Sequence, residues 1–173
     1  LIEQNKLNNK TNFIKKNDFN RLGIKNDRFI SDIVIRREKY KPSNLEEIII
    51  NNKKSLIIIA DQITDQNNLG NIKRTALLMG ADGLLLSEYS SADINDVTSI
   101  TSSGAVEVLK YHVSKNINRT IEVLKKSGYW TYSLDMSGEE ISREFNFDKK
   151  SVIIVGNEGK GIRRNILAKS DFK

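Results

Sequence analysis

Short apolar runs recur along the chain, and each has the length and composition of one buried β-strand. Isoleucine, leucine and valine dominate these runs, which are apolar throughout instead of alternating with polar residues. Continuous apolar runs of this kind are typical of strands that are covered on both faces of a sheet. The predicted strands span residues 29–35, 56–60, 83–87, 109–113, 129–134 and 152–155.

Amphipathic segments separate the later strands. In the clearest of them, apolar residues recur at intervals of three or four, and a glycine, Gly80 or Gly128, follows the pattern. Helices are predicted at residues 69–79, 93–103, 117–124 and 163–169. Because strands and helices alternate, we predict an α/β domain with a mostly parallel sheet flanked by helices.

The opening of the chain is polar and lacks this alternation. The only proline, Pro42, precedes a short predicted helix that Ser43 or Asn44 can cap. We therefore predict a domain boundary here, which separates residues 1–42 from a larger domain of residues 43–173.

Composition excludes several classes of site. The chain has no cysteine and one histidine, His112, so no disulfide scaffold and no metal site are expected, and His112 is expected to be structural. No apolar run approaches the roughly 20 residues of a membrane helix, and no signal peptide is visible, so we expect no membrane association. The net charge of +6 favours a polyanionic partner such as nucleic acid, although biased genome composition can also make a chain rich in Lys, Asn and Ile basic.

The last predicted strand leads directly into a glycine-rich loop. Gly156, Gly159 and Gly161 surround one acid, Glu158. Glycine allows positive φ and close approach of a ligand to the main chain, and ligands of α/β sheets lie outside the carboxyl ends of strands. The spacing matches neither the phosphate-binding loop nor the dinucleotide-binding motif. A glycine-rich turn before a helix is the alternative interpretation.

A second polar loop, residues 61–74, also follows a predicted strand and opens a predicted helix. Because the carboxyl ends of parallel strands meet at one edge of the sheet, the two loops are predicted to face a common cleft. The second loop contains Asn68-Leu69-Gly70-Asn71-Ile72-Lys73-Arg74-Thr75, and the glycine-rich loop contains Gly156-Asn157-Glu158-Gly159-Lys160-Gly161.

These two motifs, in this order and spacing, resemble those of the SpoU (TrmH) family of S-adenosylmethionine-dependent RNA ribose 2′-O-methyltransferases. The resemblance covers about residues 56–171. Three further segments, Ser103 to Glu107, Gly128 to Trp130, and Leu134 with Asp135, are similar to the branch that modifies a guanosine of large-subunit ribosomal RNA. Residues 1–42 are similar to the end of that branch's N-terminal RNA-binding domain and the following linker.

The resemblance implies an α/β fold of the SPOUT type with a C-terminal trefoil knot, a homodimer, and S-adenosylmethionine as cofactor. The family's third motif would begin just after Lys173. We therefore expect the knot to be incomplete within these residues and the activity to belong to a full-length protein.

The resemblance also assigns site residues. It places Arg74 at the catalytic position, with Asn68 orienting it or the ribose and Glu158 helping to hold it. A guanidinium stays protonated, so we expect Arg74 to favour the developing alkoxide and bind the adjacent phosphate, and the proton acceptor is left open. For each residue a structural alternative remains: a solvated arginine, a helix cap at Asn68, and an unpaired surface carboxylate at Glu158.

The cofactor and RNA contacts follow from the same motifs. The resemblance implies that Leu134, Gly156, Asn157, Gly159 and Gly161 bind the cofactor, with a core leucine and turn glycines as alternatives. Phosphate contacts are predicted for Lys160, Arg163 and Arg164, which are otherwise ordinary basic residues at a helix start, where the helix dipole disfavours them.

The leading hypothesis is methylation of a ribose 2′-hydroxyl in RNA, with a guanosine of large-subunit ribosomal RNA as the preferred target. A transfer RNA methyltransferase and a non-catalytic RNA-binding or ribosome-assembly protein are the alternatives. The sequence favours a bacterial cytoplasm, with an organelle matrix as the second choice. A generic nucleotide-binding domain is disfavoured because no Walker or Rossmann motif is present.

Overall fold

A computed structural model describes residues 39–49, 54–89, 91–140, 142 and 144–173. The chain divides into two units, residues 1–38 and 39–173, and the described residues all belong to the second. The strand predicted at residues 29–35 lies outside the described residues. The origin of residues 1–42 in an RNA-binding domain remains a prediction.

The described residues form one five-stranded sheet in which every pair of neighbours is parallel. The order across the sheet is β3-β2-β1-β5-β4. This arrangement confirms the predicted α/β class and the predicted parallel sheet. The strands are β1 (Ser55–Asp61), β2 (Gly83–Ser87), β3 (Tyr111–Ser114), β4 (Trp130–Ser133) and β5 (Lys150–Gly156).

Helices occupy most of the segments between the strands. The predicted helix at residues 93–103 ends early, because Ser103 and Gly104 both take positive φ, and a second short helix then follows. That extra helix delays the start of β3 by two residues relative to the prediction. The helices are a 3₁₀ turn (Leu45–Glu47), α1 (Gln66–Leu78), α2 (Asp96–Thr101), α3 (Ala105–Val108), α4 (Ile117–Lys126) and α5 (Arg164–Leu167).

Apolar clusters cover both faces of the sheet, as the continuous apolar strands predict. In β1, Ile57 and Ile59 pack in one cluster with residues of α4 and α5. Ile58 and Ala60, which point to the other face, pack in a second cluster with residues of α1. Strand side chains alternate between faces, so one buried strand supplies both clusters.

The N-terminal segment of the described unit packs against the edge of the sheet. Ile48 is fully buried, and a Cβ at Gly83 would lie 2.5 Å from its Cγ2 atom, so this contact requires glycine. His112 lies with Nδ1 2.9 Å from the carbonyl oxygen of Ser43, a main-chain contact that agrees with the predicted structural role.

The chain order places a topological switch point at the centre of the sheet. From β1 the chain moves to β2 and β3 on one side, whereas β5 and β4 lie on the other side. Ligand sites of open parallel sheets lie at the carboxyl ends of the strands where this direction reverses. The loops that follow β1 and β5 occupy that position. No helix in the described part of the chain is long and apolar enough to cross a membrane.

Candidate active site

The two motif loops meet in one cleft, as predicted. Asp61, at the end of β1, is the register partner of Gly156, at the end of β5. The loops that follow these strand ends, together with the first turns of α1, enclose a cleft of about 310 Å³. Its lining residues are Ile63, Thr64, Asp65, Asn68, Asn71, Ile72, Gly156, Asn157, Glu158 and Gly159.

The capping residue of α1 is Asp65. Its Oδ1 atom accepts a hydrogen bond of 2.8 Å from the main-chain N–H of Asn68. The helix therefore begins at Gln66, and the alternative that Asn68 itself caps the helix is wrong. Because Asn68 lies inside the first turn, its half-buried side chain is available to line the cleft.

Arg74 is exposed and does not line this cleft. It lies three residues after Asn71, one of the lining residues, and positions three apart share a helix face. Asn71 is thus a neighbour of Arg74 on the helix surface, and the arginine itself lies outside the wall of the cleft. The structure shows no contact between Arg74 and Glu158, and their predicted catalytic partnership remains a prediction.

The glycine-rich loop is a tight hairpin. The main chains of Asn157 and Gly161 exchange two hydrogen bonds, of 3.1 and 2.8 Å. The side-chain Oδ1 of Asn157 also accepts hydrogen bonds from the N–H groups of Gly159 and Lys160, at 3.0 and 3.2 Å. Asn157 is thus a structural centre of the hairpin as well as a residue of the cleft.

Two of the three glycines are required by the hairpin itself. A Cβ at Gly156 would lie 2.3 Å from the carbonyl carbon of Gly161, and Gly161 has a φ of +67°. The missing side chain at Gly156 therefore makes room for the protein's own main chain, where the sequence suggested room for a ligand. A Cβ at Gly159 would meet only the Oδ1 of Asn157, at 3.6 Å, so this position is open.

The hairpin presents its two charged residues to solvent. Glu158 and Lys160 are both exposed, and Glu158 lines the same cleft as Asn68 and Asn71. The carboxylate and the two amides can therefore contact one polar ligand. Lys160 lies outside the lining, and its predicted phosphate contact remains a prediction.

Arg163 is bound to Asp61. Its Nε and Nη2 atoms donate to the Asp61 carboxylate at 2.9 and 2.6 Å, and its main-chain N–H donates to Oδ2 at 3.0 Å. This pairing provides a structural reason for an arginine at a helix start. Arg164 is exposed, and for both arginines the phosphate contact stays a prediction.

Leu134 lies just past the end of β4 and does not line the cleft. Its N–H donates to the carbonyl of Ile154 at 2.9 Å, and its side chain is 48% exposed. The next residue, Asp135, places a carboxylate oxygen 3.9 Å from where a Cβ at Gly161 would lie. The loop after β4 therefore borders the glycine hairpin at Gly161, which is not among the residues that line the cleft.

Sequence reasoning missed several residues that shape this region. Asp61 and Asp65 were noted only as loop polarity, although an acid that directly follows an apolar strand is a recognisable signal for a strand-end ligand or partner. Asn71 carried no separate signal beyond its motif. Within the described part of the chain, no group of three or more potential metal ligands occurs.

The parallel sheet and the paired loops at its carboxyl edge define an α/β domain with a cleft at a topological switch point. Residues 55–173 match the family model described as SpoU rRNA Methylase family. The chain therefore belongs to this family, and the resemblance drawn from the two motifs is confirmed.

Curated relatives with methyltransferase names match the same region. An uncharacterized tRNA/rRNA methyltransferase of Borreliella burgdorferi is 39% identical over 129 residues, which cover 75% of this chain and 57% of the relative. The 23S rRNA (guanosine-2′-O-)-methyltransferase RlmB of Neisseria meningitidis is 37% identical over 122 residues, which cover 70% of this chain and 49% of RlmB. The chain spans about half the length of the curated relatives it matches.

Solved structures of the family share the fold. The SpoU methyltransferase AviRb from Streptomyces viridochromogenes, in complex with AdoMet, aligns with a TM-score of 0.65 at 21% identity, covering 75% of this chain and 50% of AviRb. The A. aeolicus TrmH/SpoU tRNA modifying enzyme aligns with a TM-score of 0.61 at 26% identity, covering 75% of this chain and 66% of that protein. These similarities confirm the SpoU-type sheet, whereas the trefoil knot stays a prediction.

Proposed function

We propose that this chain forms the catalytic domain of an enzyme that transfers a methyl group from S-adenosylmethionine to a ribose 2′-hydroxyl in RNA. The observation that carries the proposal is the cleft that Asn68 of the first motif and Glu158 of the second both line. A domain without catalysis has no need to bring both motifs to one cleft. Family membership supports the same activity.

A guanosine of large-subunit ribosomal RNA is the proposed target. The relative RlmB is named for that reaction, which supports the assignment. Transfer RNA is the second candidate, because the A. aeolicus relative with the same fold is described as a tRNA modifying enzyme. We further propose a homodimer in a bacterial cytoplasm, or in an organelle matrix as the second choice, and a mechanism that needs no metal.

S-adenosylmethionine is proposed as the cofactor, and the AdoMet complex of AviRb supports this choice. The local chemistry fits the group. Leu134 presents a half-exposed apolar side chain at the end of β4, next to the strand that ends in Gly156. An adenine ring can pack on such a side chain while neighbouring main-chain groups bind its edge. We propose that Leu134, Gly156, Asn157, Gly159 and Gly161 bind the cofactor.

The cofactor supplies an electrophilic methyl group, and the protein must align the ribose hydroxyl in line with it. We assign orientation of the ribose to Asn68, whose amide can both donate and accept hydrogen bonds. Glu158 would accept hydrogen bonds from Arg74 when RNA brings the arginine over the cleft. The always-protonated guanidinium of Arg74 then stabilises the developing alkoxide and binds the neighbouring phosphate. The proton acceptor is not assigned.

RNA contacts outside the cleft are proposed for the basic residues of the hairpin and of α5. Lys160 and Arg164 are both exposed, so both can bind backbone phosphates. Arg163 can contribute only with the part of its guanidinium that Asp61 leaves free.

The proposal is tested with the complete reading frame that encodes this chain. Transfer of labelled methyl groups from S-adenosylmethionine to unmodified ribosomal and transfer RNA is measured, and the modified nucleosides are identified by mass spectrometry. We expect 2′-O-methylguanosine in large-subunit RNA. Arg74→Ala should lower the rate by about 100-fold or more, because it removes charge stabilisation of the transition state.

Arg119→Ala is the matched control, because Arg119 is an exposed arginine on α4 that lies outside the cleft. It should leave the rate unchanged. Methylation of transfer RNA alone would replace the ribosomal target with the second candidate. Cofactor binding without methylation of either RNA would remove the substrate assignment, and absence of cofactor binding would leave a non-catalytic RNA-binding protein.

A further inference from the structure

Asp61 and Arg163 form an ion pair beside the cleft, in which the carboxylate is fully buried and the arginine side chain is 36% exposed. Asp61 is completely buried, and three hydrogen-bond donors of Arg163 converge on its carboxylate: the main-chain N–H, Nε and Nη2. Nε lies 2.9 and 3.2 Å from the two carboxylate oxygens, and Nη2 lies 2.6 Å from Oδ1. A planar guanidinium held at several points fixes distance and angle together, unlike a single point charge.

The pair joins the two ends of the glycine hairpin. Asp61 is the register partner of Gly156, where the hairpin leaves β5. Arg163 follows the hairpin two residues after Gly161. The hairpin therefore begins at Gly156, beside the end of β1, and the residues that follow it return to the same end of β1, where Arg163 binds Asp61. The hairpin is also tied to the loop after β1 by a further contact: the side-chain amide of Asn157 donates a hydrogen bond to the carbonyl of Gln62 at 3.1 Å.

Stability alone gives a weak reason for such a pair. Removing the Asp61 carboxylate from water is costly, and the attraction of the partly exposed guanidinium offsets that cost, so the net contribution of the pair to stability is expected to be small. A pair that contributes little net stability can still hold the segments that it joins in a fixed position. Neither Asp61 nor Arg163 lines the cleft, so any effect on a ligand there must pass through the hairpin or through the loop that follows Asp61.

We infer that Asp61 and Arg163 act as a positioning pair that holds the glycine hairpin so that Glu158 points into the cleft. The expected effect on methyl transfer rests on the proposed function. The expected effect on the position of the hairpin does not. It also gives Arg163 a role at the end of β1 that is distinct from phosphate contact.

The test uses Arg163→Lys in the complete reading frame, with Arg119→Lys on α4 as the matched control. Lysine keeps the charge but cannot reproduce the fork of donors. We expect amide hydrogen exchange of residues 157–161 to accelerate at least about 10-fold, since the hairpin loses its fixed end. Methyl transfer should fall by about 10- to 100-fold in kcat at saturating S-adenosylmethionine, because alignment is lost. KM for S-adenosylmethionine should rise by less than kcat falls, since the hairpin also carries the proposed cofactor contacts. Arg119→Lys should change neither quantity.

A second variant covers the case in which Arg163→Lys does not fold. Asp61→Asn combined with Arg163→Gln removes both charges and leaves no buried charge unpaired, so folding should persist while the fork is lost. Exchange and kcat within about twofold of the unaltered protein, in a folded variant, would overturn the inference, since that change is too small for a lost alignment. An equal fall in kcat for Arg119→Lys would also overturn it.

The two proposals fail separately. If the unaltered protein transfers no methyl group to any RNA, the proposed function is lost, and the exchange measurement still decides whether the pair holds the hairpin. If methyl transfer is normal but exchange of residues 157–161 is unchanged in the variants, the positioning pair is lost and the enzyme remains.

Discussion

At the scale of single residues, Lys73 is the least expected feature of the first motif. Its side chain is fully buried, and its Nζ has no hydrogen-bond partner among the described residues. The amine lies 4.7 Å from the centre of the Tyr111 ring, and the charge of Glu107 opposes the effect of burial. Burial nevertheless lowers the pKa of Lys73 from 10.5 to about 8.

This pKa sets the sign of a stability prediction. The native state binds the Lys73 proton less tightly than the unfolded chain, so the residue costs stability below about pH 8, and the cost fades as the pH rises towards 10.5. Lys73→Met should therefore raise the free energy of unfolding at pH 7 by about 1–3 kcal/mol, because it removes the buried charge and keeps the volume. Urea denaturation at pH 7 and at pH 10 measures both values, and the gain should be smaller at pH 10.

Lys126→Met is the control, since Lys126 is exposed on α4. It should change the free energy of unfolding by less than about 0.5 kcal/mol at either pH. If Lys73→Met destabilises the protein equally at both pH values, the aromatic contact outweighs the cost of burial and the prediction is wrong.

At the scale of elements, the glycine hairpin determines where the second motif lies. Its shape depends on the side chain of Asn157, on Gly156, where a Cβ would meet the hairpin's own main chain, and on Gly161, which has positive φ. The sequence predicted a ligand-binding loop from these glycines, and the structure adds that most of them serve the turn. A glycine pattern cannot distinguish room for a ligand from room for the chain, because both need a missing Cβ.

Two substitutions within the hairpin distinguish a glycine that makes room for the main chain from a glycine whose position is open. Gly156→Ala places a methyl group 2.3 Å from main-chain atoms that cannot move independently, so we expect a loss of about 2–4 kcal/mol in the free energy of unfolding. Gly159→Ala meets only a side-chain oxygen at 3.6 Å, and its loss should stay below about 1 kcal/mol. Thermal or urea unfolding of the two variants measures the difference. Equal losses would show that the hairpin rearranges to accept a side chain at Gly156.

At the scale of the whole molecule, the charge and the fold bear on the same partner. The net charge of +6 favours a polyanion such as RNA, and the exposed Lys160 directly follows Gly159, a lining residue of the cleft. Contacts to phosphate release counterions, so affinity for RNA should fall steeply as salt rises.

Affinity for ribosomal RNA should weaken by at least about 10-fold between 50 and 200 mM KCl, measured by filter binding. Replacing Lys160 and Arg164 together by glutamine should make the slope of log affinity against log salt shallower by about 1–2, because two phosphate contacts are lost. The same replacement at Arg119 and Lys126, on α4, should leave the slope unchanged. An unchanged slope in the first variant would exclude both residues from the RNA interface.

The sequence by itself determined the fold class, the strand and helix order, and the two motifs that identify the family. Apolar runs and helical periodicity are local properties, so β1, β2, α1 and α4 lie close to their predicted positions. The split between α2 and α3 was not predictable from the sequence, because it depends on positive φ at Ser103, and serine does not indicate positive φ.

Only the tertiary structure decided which motif residues meet. Asn68 and Glu158 are 90 residues apart in the chain and lie in one cleft because β1 and β5 are neighbours in the sheet. The same packing buried Lys73, left Arg74 exposed, and paired Arg163 with Asp61. Adjacent residues of one helix or loop receive different environments from the elements packed against them, and no local pattern contains that information.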